Sequence, residues 1–108
     1  MSRATIPAPI RAWVDEVIQR FNQRVLRNPD RYYVARYRGR YLYLDRVDHG
    51  IQHHIGRLTY TGDNDNWDFA VFKYSDEAYD PDEWLFPGSG YVDGTIEGAM
   101  RAGLEAYP

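Results

Sequence analysis

The run Arg31-Tyr-Tyr-Val-Ala-Arg-Tyr-Arg-Gly-Arg-Tyr-Leu-Tyr-Leu-Asp-Arg46 decides the fold. Tyr, Val and Leu fill both of its arms, and such residues suit a pleated, half-buried surface. Gly39 supplies the positive φ of a tight turn. The run therefore reads as a hairpin. A two-residue loop of Arg38 and Gly39 pairs Tyr37 with Arg40, Arg36 with Tyr41, Ala35 with Leu42, Val34 with Tyr43, and Tyr33 with Leu44. Side chains alternate across a strand, so one face holds Tyr33, Ala35, Leu42 and Leu44 and suits a core. The other holds Tyr32, Val34, Arg36, Tyr41, Tyr43 and Asp45, and is aromatic and charged at once. A one-residue slip would exchange the faces.

Upstream, residues 8–27 predict an amphipathic helix. Ile10, Trp13, Val14, Val17, Ile18, Phe21 and Val25 recur at the spacing of one helical stripe. Pro7 and Pro9 fit only its first turn, where a missing N–H costs no helical bond. Asn28-Pro29-Asp30 stops it.

Downstream, His49-Gly50 is a turn and residues 52–60 a third strand. Ile51, His53, Ile55, Arg57 and Thr59 are expected on one face; His54, Leu58 and Tyr60 on the other. Gly56 interrupts this strand and marks a candidate bulge. Residues 67–74 form a fourth strand, with Trp67, Phe69 and Val71 on one side and Ala70, Phe72 and Tyr74 on the other. A strand apolar on both sides belongs inside a sheet or under cover. Asp80-Pro81-Asp82-Glu83 has the residues of a short-helix start, and Trp84, Leu85 and Phe86 are expected to tuck under the sheet. Thr95 caps a final helix to about Ala106, whose Gly98, Ala99, Ala102, Gly103 and Ala106 form a small-residue face for close packing. The expected architecture is one α+β domain over residues 1–108. It is a four-stranded antiparallel meander, order αββββα, with a short helical turn before the last helix and both long helices on one face.

The 108 residues include no Cys, which excludes a disulfide framework and thiolate metal sites. No apolar run approaches a membrane span or a signal core, so a cytoplasmic protein without membrane contact is expected. The net charge of −3 hides an asymmetry. Residues 1–60 carry 11 Arg against five acids, and residues 61–108 carry Lys73 and Arg101 against 11 acids. Lys73 is the only Lys. Arg stacks on rings and pairs bidentately where Lys does not, though a preference for Arg codons gives the same count.

No catalytic or cofactor motif stands out, and the expectation is no cofactor and no metal. His53 and His54 alternate in direction, against shared ligation. Asp63-Asn-Asp-Asn-Trp-Asp68 resembles half a calcium loop without its Gly and closing Glu. Asp76, Glu77, Asp80, Asp82 and Glu83 form an acidic cluster, either solvated or a counter-surface for the Arg-rich half. Gly88-Ser-Gly90 and Gly94-Thr95 precede a helix but lack the Lys of a phosphate loop.

The leading reading is a non-enzymatic binding module using the Arg/Tyr face. Single-stranded nucleic acid is the most concrete ligand, since Arg neutralises phosphate and Tyr stacks on unpaired bases. Tyr32, Arg36, Tyr41 and Tyr43 would make contact, with Arg38 and Arg40 at the hairpin tip. The acidic balance, with a pI near 5.5, stands against it. The alternatives are a protein-interaction or self-association domain pairing its basic and acidic halves, and a small enzyme with a pocket between the sheet and residues 74–91. The plainest alternative is a solvated sheet surface.

Overall fold

The computed structural model describes residues 5–108. Its order is α1 (Ala8–Phe21), continued by a π-helical turn (Asn22–Leu26), then β1 (Arg31–Arg38), β2 (Tyr41–Asp48), β3 (Ile51–Thr59), β4 (Asp68–Lys73), β5 (Ala78–Asp80), a 3-10 turn (Ser89–Tyr91) and α2 (Ile96–Ala106). The strands form one antiparallel meander in the order β1-β2-β3-β4-β5. The class is α+β as expected, but the sheet has five strands rather than four.

The fifth strand replaces an expected helix start. Asp80 ends β5 opposite Val71, and Pro81 and Asp82 form a turn. The Asp80 side chain caps that turn by accepting from the Asp82 N–H at 2.9 Å. The short helical turn before α2 lies instead at Ser89–Tyr91. Of the three residues expected to tuck under the sheet, only Phe86 packs on the core; Trp84 and Leu85 stay exposed.

The β1–β2 turn is Gly39-Arg40, not Arg38-Gly39, and Arg38 pairs with Tyr41. Gly39 at φ +60° is the first central residue of the turn. Arg38 in that place would itself need positive φ, which a side chain resists. Moving a two-residue loop by one position moves the pairing by two, so the expected faces survive. The second hairpin does turn at His49-Gly50, with both residues at positive φ.

Both helices cover the face that carries Tyr33, Leu42, Leu44, Leu58, Phe69 and Val71. Val14, Val17, Ile18 and Phe21 supply the α1 side of this core. The stripe breaks at Val25, which is exposed, because the wider π-helical turn rotates the last residues and brings Leu26 inward. Asn22, at the start of that turn, is set beside β1. Its side-chain oxygen accepts from the Tyr33 N–H at 2.8 Å and its Nδ2 donates to the Tyr33 carbonyl at 2.9 Å. One amide thus stands in for a neighbouring strand at the sheet's edge.

The small-residue face of α2 has the expected use. A Cβ on Gly103 would lie 2.5 Å from the Tyr33 hydroxyl and 2.6 Å from Ile55 Cγ2. Tyr33 is fully buried and donates to the Met100 carbonyl at 2.7 Å. Burial raises its hydroxyl to a pKa of about 12, against the pull of Arg46.

Two outcomes follow from this packing. Gly103→Ala should destabilise the protein by about 1–3 kcal/mol in urea titrations, because Tyr33 must leave its carbonyl partner to make room. The ordinary tyrosine pKa is 10.0 and the folded value is about 12, so the proton is held more tightly in the folded state. The stability that Tyr33 contributes is complete below pH 10 and lost as pH rises from 10 to 12. Urea midpoints measured across that interval should fall less in Tyr33→Phe than in the natural sequence.

Candidate functional site

Among the described residues, no helix covers the face of the sheet turned away from α1 and α2. Backbone pairing brings Arg36 and Arg38 of β1, Tyr41, Tyr43 and Asp45 of β2, and Arg57 of β3 onto this open face. Phe72 of β4 and Tyr79 of β5 join them. Asp45 and Phe72 are buried, the first by its neighbours and the second beneath rings. Phe72 packs edge-on to Tyr74 at 4.7 Å and to Tyr79 at 4.9 Å between ring centres. That is the cover a doubly apolar β4 demands.

A β-bulge organises the charged part. The β2–β3 register shifts between Leu44, opposite Gly56, and Asp45, opposite His54, so Ile55 is the extra residue. Without it, strict alternation would keep His54 on the side of Leu58, under the helices. The bulge reverses the parity. His54 comes to the open face beside Asp45, Arg57 and Thr59 align with Tyr43 and Tyr41, and Ile55 enters the core. This corrects the expected face assignments of β3. Gly56, beside the bulge, is required by contact: a Cβ there would lie 2.6 Å from the Phe69 ring.

Asp45 is wholly buried and its carboxylate is saturated. Oδ2 accepts from Arg36 Nε at 2.6 Å and Gln52 Nε2 at 2.7 Å. Oδ1 accepts from Arg36 Nη2 at 3.2 Å and His54 Nδ1 at 3.0 Å. Burial alone would raise the Asp45 carboxyl, but the bonds from Arg36, His54 and Gln52 outweigh it and hold it below its ordinary value. An ionised carboxylate only accepts, so the 3.0 Å contact to Oδ1 is a hydrogen bond when His54 carries its proton on Nδ1, with Arg36 Nη2 3.3 Å from the same nitrogen. Its other nitrogen, Nε2, then lies on the opposite edge of the ring with a free lone pair in the neutral form.

His54 opens onto a cleft of about 880 Å³ lined also by Arg36, Arg38, Tyr43, Phe72, Tyr74, Glu77 and Tyr79, with Tyr37 at its border. The ring of His54 stands 5.1 Å from Phe72 and 6.3 Å from Tyr79. Tyr79 packs 5.3 Å from Tyr43, and its hydroxyl lies 3.5 Å from Arg36 Nη2. Burial pushes the Tyr79 hydroxyl above its ordinary value against the pull of Arg36, so it stays a phenol.

Beside the cleft, guanidinium groups and phenol rings interleave. Arg36 lies 4.9 Å from the Tyr43 ring, Arg57 4.9 Å from Tyr41 and 5.6 Å from Tyr79, and Arg40 5.7 Å from Tyr41. Of the six residues expected to bind, Arg36, Arg38 and Tyr43 line the cleft, while Tyr41 and Arg40 stack beside it. Tyr32 shares the face but lies about 14 Å along β1 from Arg36, opposite Val47 and outside the cleft. Sequence reasoning missed Arg57, Gln52, His54, Phe72 and Tyr79 as site residues. The only signal for the first three was the candidate bulge at Gly56.

The acidic segment does not neutralise this face. Lys73 gathers Glu83 at 3.1 Å, Asp80 at 3.7 Å and Asp76 at 3.8 Å. Only Glu77 reaches the cleft rim. Among the described residues, no ion pair engages Arg38, Arg40 or Arg57.

The remaining sequence candidates form turns. Asp63 accepts from the Asp65 N–H at 2.9 Å, and the Thr61 hydroxyl donates to the Asn66 carbonyl, closing the loop. Asp93 fills the region before α2, accepting from the N–H and hydroxyl of Thr95. Among the described residues, no group of three or more His, Asp or Glu side chains is placed to hold a metal ion. No described helix is long and apolar enough to cross a membrane.

Compared with known protein families, curated proteins and solved structures, the chain matches no family model, no curated sequence and no solved structure.

Asp45→Asn tests the organisation of the site. It removes the charge and replaces one acceptor with a donor facing other donors. We expect a loss of about 2–3 kcal/mol in urea titrations at pH 7. The folded carboxyl sits below its ordinary 3.8, so its contribution is present above that pH and is lost as pH falls below it. The difference between the two proteins should therefore shrink in acid.

Proposed function

We propose that the open sheet face is a binding surface for single-stranded nucleic acid. The observation that carries this reading is the interleaving of Arg36, Arg40 and Arg57 with Tyr41, Tyr43 and Tyr79, with Arg38 beside them and, among the described residues, no ion pair to Arg38, Arg40 or Arg57. A phosphate backbone presents an anion at every nucleotide and an unpaired base offers a flat ring between successive anions. A guanidinium forks onto phosphate oxygens. A phenol face stacks on any base without reading its edges. A duplex keeps its bases stacked inside, so a flat sheet platform suits the single strand.

The acidic balance of the chain does not oppose this locally. The carboxylates of Asp76, Asp80 and Glu83 are drawn to Lys73, at the far side of β4 from the Arg-bearing strands, Glu77 alone of that segment's carboxylates lines the cleft, and Asp45 is enclosed by its own donors. Charges separated by more than about 8–10 Å are largely screened at physiological salt. An approaching strand therefore meets the cationic β1–β3 face first.

A second reading, association with another protein, is favoured by Trp84 and Leu85. These neighbours are exposed to 53% and 95%, and sit on the acidic segment. An exposed apolar pair of this kind supports a contact surface.

Fluorescence anisotropy with a labelled mixed-sequence oligonucleotide tests the first reading. Affinity should fall steeply between low and physiological salt. Tyr41→Ala should cost about 1–3 kcal/mol of binding. Arg38→Ala should lower the slope of log affinity against log salt by about 1. Absence of binding at low salt would leave only the protein-association reading, for which the salt dependence of molecular mass is the direct measurement.

A further inference from the structure

Among the described residues the cleft contains a base, and its only hydroxyls are phenols. His54 is oriented as a general base requires: Nδ1–H is fixed by the buried Asp45 carboxylate, which leaves Nε2 to take a proton. Around it, among the described residues, the cleft presents Arg, Tyr, Phe and Glu side chains, but no Ser, Thr, Cys or Lys. The phenol of Tyr79 is pushed away from ionisation by burial, which unsuits it as an attacking group. A base so placed needs a nucleophile that arrives with the ligand. Arg36 and Arg38 stand on the same side of β1, two residues and about 7 Å apart, and bring positive charge to the same cleft. Arg36 uses Nε and Nη2 on Asp45, which leaves Nη1 for a ligand.

RNA supplies the missing group. Each nucleotide carries a 2′-hydroxyl next to its own 3′-phosphate, so the nucleophile and the phosphorus belong to one molecule and are already adjacent. We propose that this protein cleaves single-stranded RNA, with His54 as the general base and Arg36 and Arg38 stabilising the phosphorane-like transition state. This rests on the reading of the face as a single-strand platform. In the step, Nε2 of His54 takes the proton of the 2′-hydroxyl, O2′ forms a bond to phosphorus, and the bond from phosphorus to O5′ breaks. The departing O5′ takes a proton from water at the open mouth of the cleft, and the imidazolium returns its proton to solvent. The products are a 2′,3′-cyclic phosphate and a free 5′-hydroxyl. No oxidant, reductant or further reactant enters.

The charges suit this chemistry. The phosphate gains negative charge as O2′ attacks, and preorganised guanidinium groups stabilise that charge most where water is partly excluded. Asp45 acts through His54 as a positioning residue. It keeps the ring in one tautomer. The tilted rings of Phe72 and Tyr79 flank the imidazole and restrict its rotation.

The test uses the full chain and three oligonucleotides of one sequence: all-RNA, all-DNA, and DNA with a single ribonucleotide. Labelled products are resolved on a denaturing gel in the presence of EDTA, and anisotropy is recorded alongside. The natural protein should cleave the RNA to fragments ending in a 2′,3′-cyclic phosphate. It should cut the mixed strand once, 3′ of the ribonucleotide, and bind the DNA without cutting it. His54→Gln should still bind the DNA and cleave RNA at least 100-fold more slowly. RNA that is bound and left intact would overturn the cleavage proposal while the binding reading stands. Absence of both binding and cleavage would overturn the two together. Cutting of the all-DNA strand would overturn the role of the 2′-hydroxyl, and cleavage undiminished in His54→Gln would overturn the assignment of the base.

Discussion

A carboxylate buried in a sheet face must be surrounded by donors, because an unpaired charge there costs several kcal/mol. Asp45 meets that requirement with donors from all three neighbouring positions: Arg36 across one hairpin, His54 across the other, and Gln52 two residues along. The constraint runs through the backbone. His54 can reach Asp45 only because Ile55 is extruded as a bulge, and Ile55 can be extruded only because the core accepts it beside Gly103 of α2. The glycine in the helix, the bulge in the strand and the histidine on the far face are thus one connected arrangement.

The two faces of the sheet solve opposite problems with the same residue type. Tyr33 buries its ring under the helices and finds one carbonyl for its hydroxyl. Tyr41, Tyr43 and Tyr79 lie on the open side, where guanidinium groups rest on their rings. An Arg stacked on an aromatic face keeps its in-plane N–H groups directed outward, so stacking leaves its anion-binding capacity in place. Lys73, with a compact charge and no plane to stack, is used differently: it gathers three carboxylates on the other side of β4.

How much of this was legible in the sequence differs between elements, for physical reasons. The helix over residues 8–27 and the sheet faces of the first hairpin follow from periodicity, and a two-residue loop protects those faces even when the loop is misplaced by one. The Arg and Tyr residues of the hairpin follow from composition, and five of the six expected residues stand at or beside the cleft. Periodicity failed at β3, because one extra residue reverses every assignment beyond it and the sequence marks a bulge only by a nearby glycine. His54 and Gln52 fell on that side of the bulge. β5 is three residues long and lies between turns, too short for alternation to register. Its Tyr79 joins the site by pairing with Phe72 across the tight β4–β5 hairpin, whose turn lacks a glycine to mark it.

The amide of Asn22 has a consequence for how molecules of this protein meet. An open sheet is a template at each rim, since unpaired backbone groups there can recruit a strand from another chain and so begin a filament. At one rim Asn22 occupies both backbone groups of Tyr33, and the occupant is a side chain that offers nothing onward to pair with. At the other rim β5 ends after three residues. Growth by addition of strands is thereby discouraged at Tyr33 on one rim and beyond Asp80 on the other.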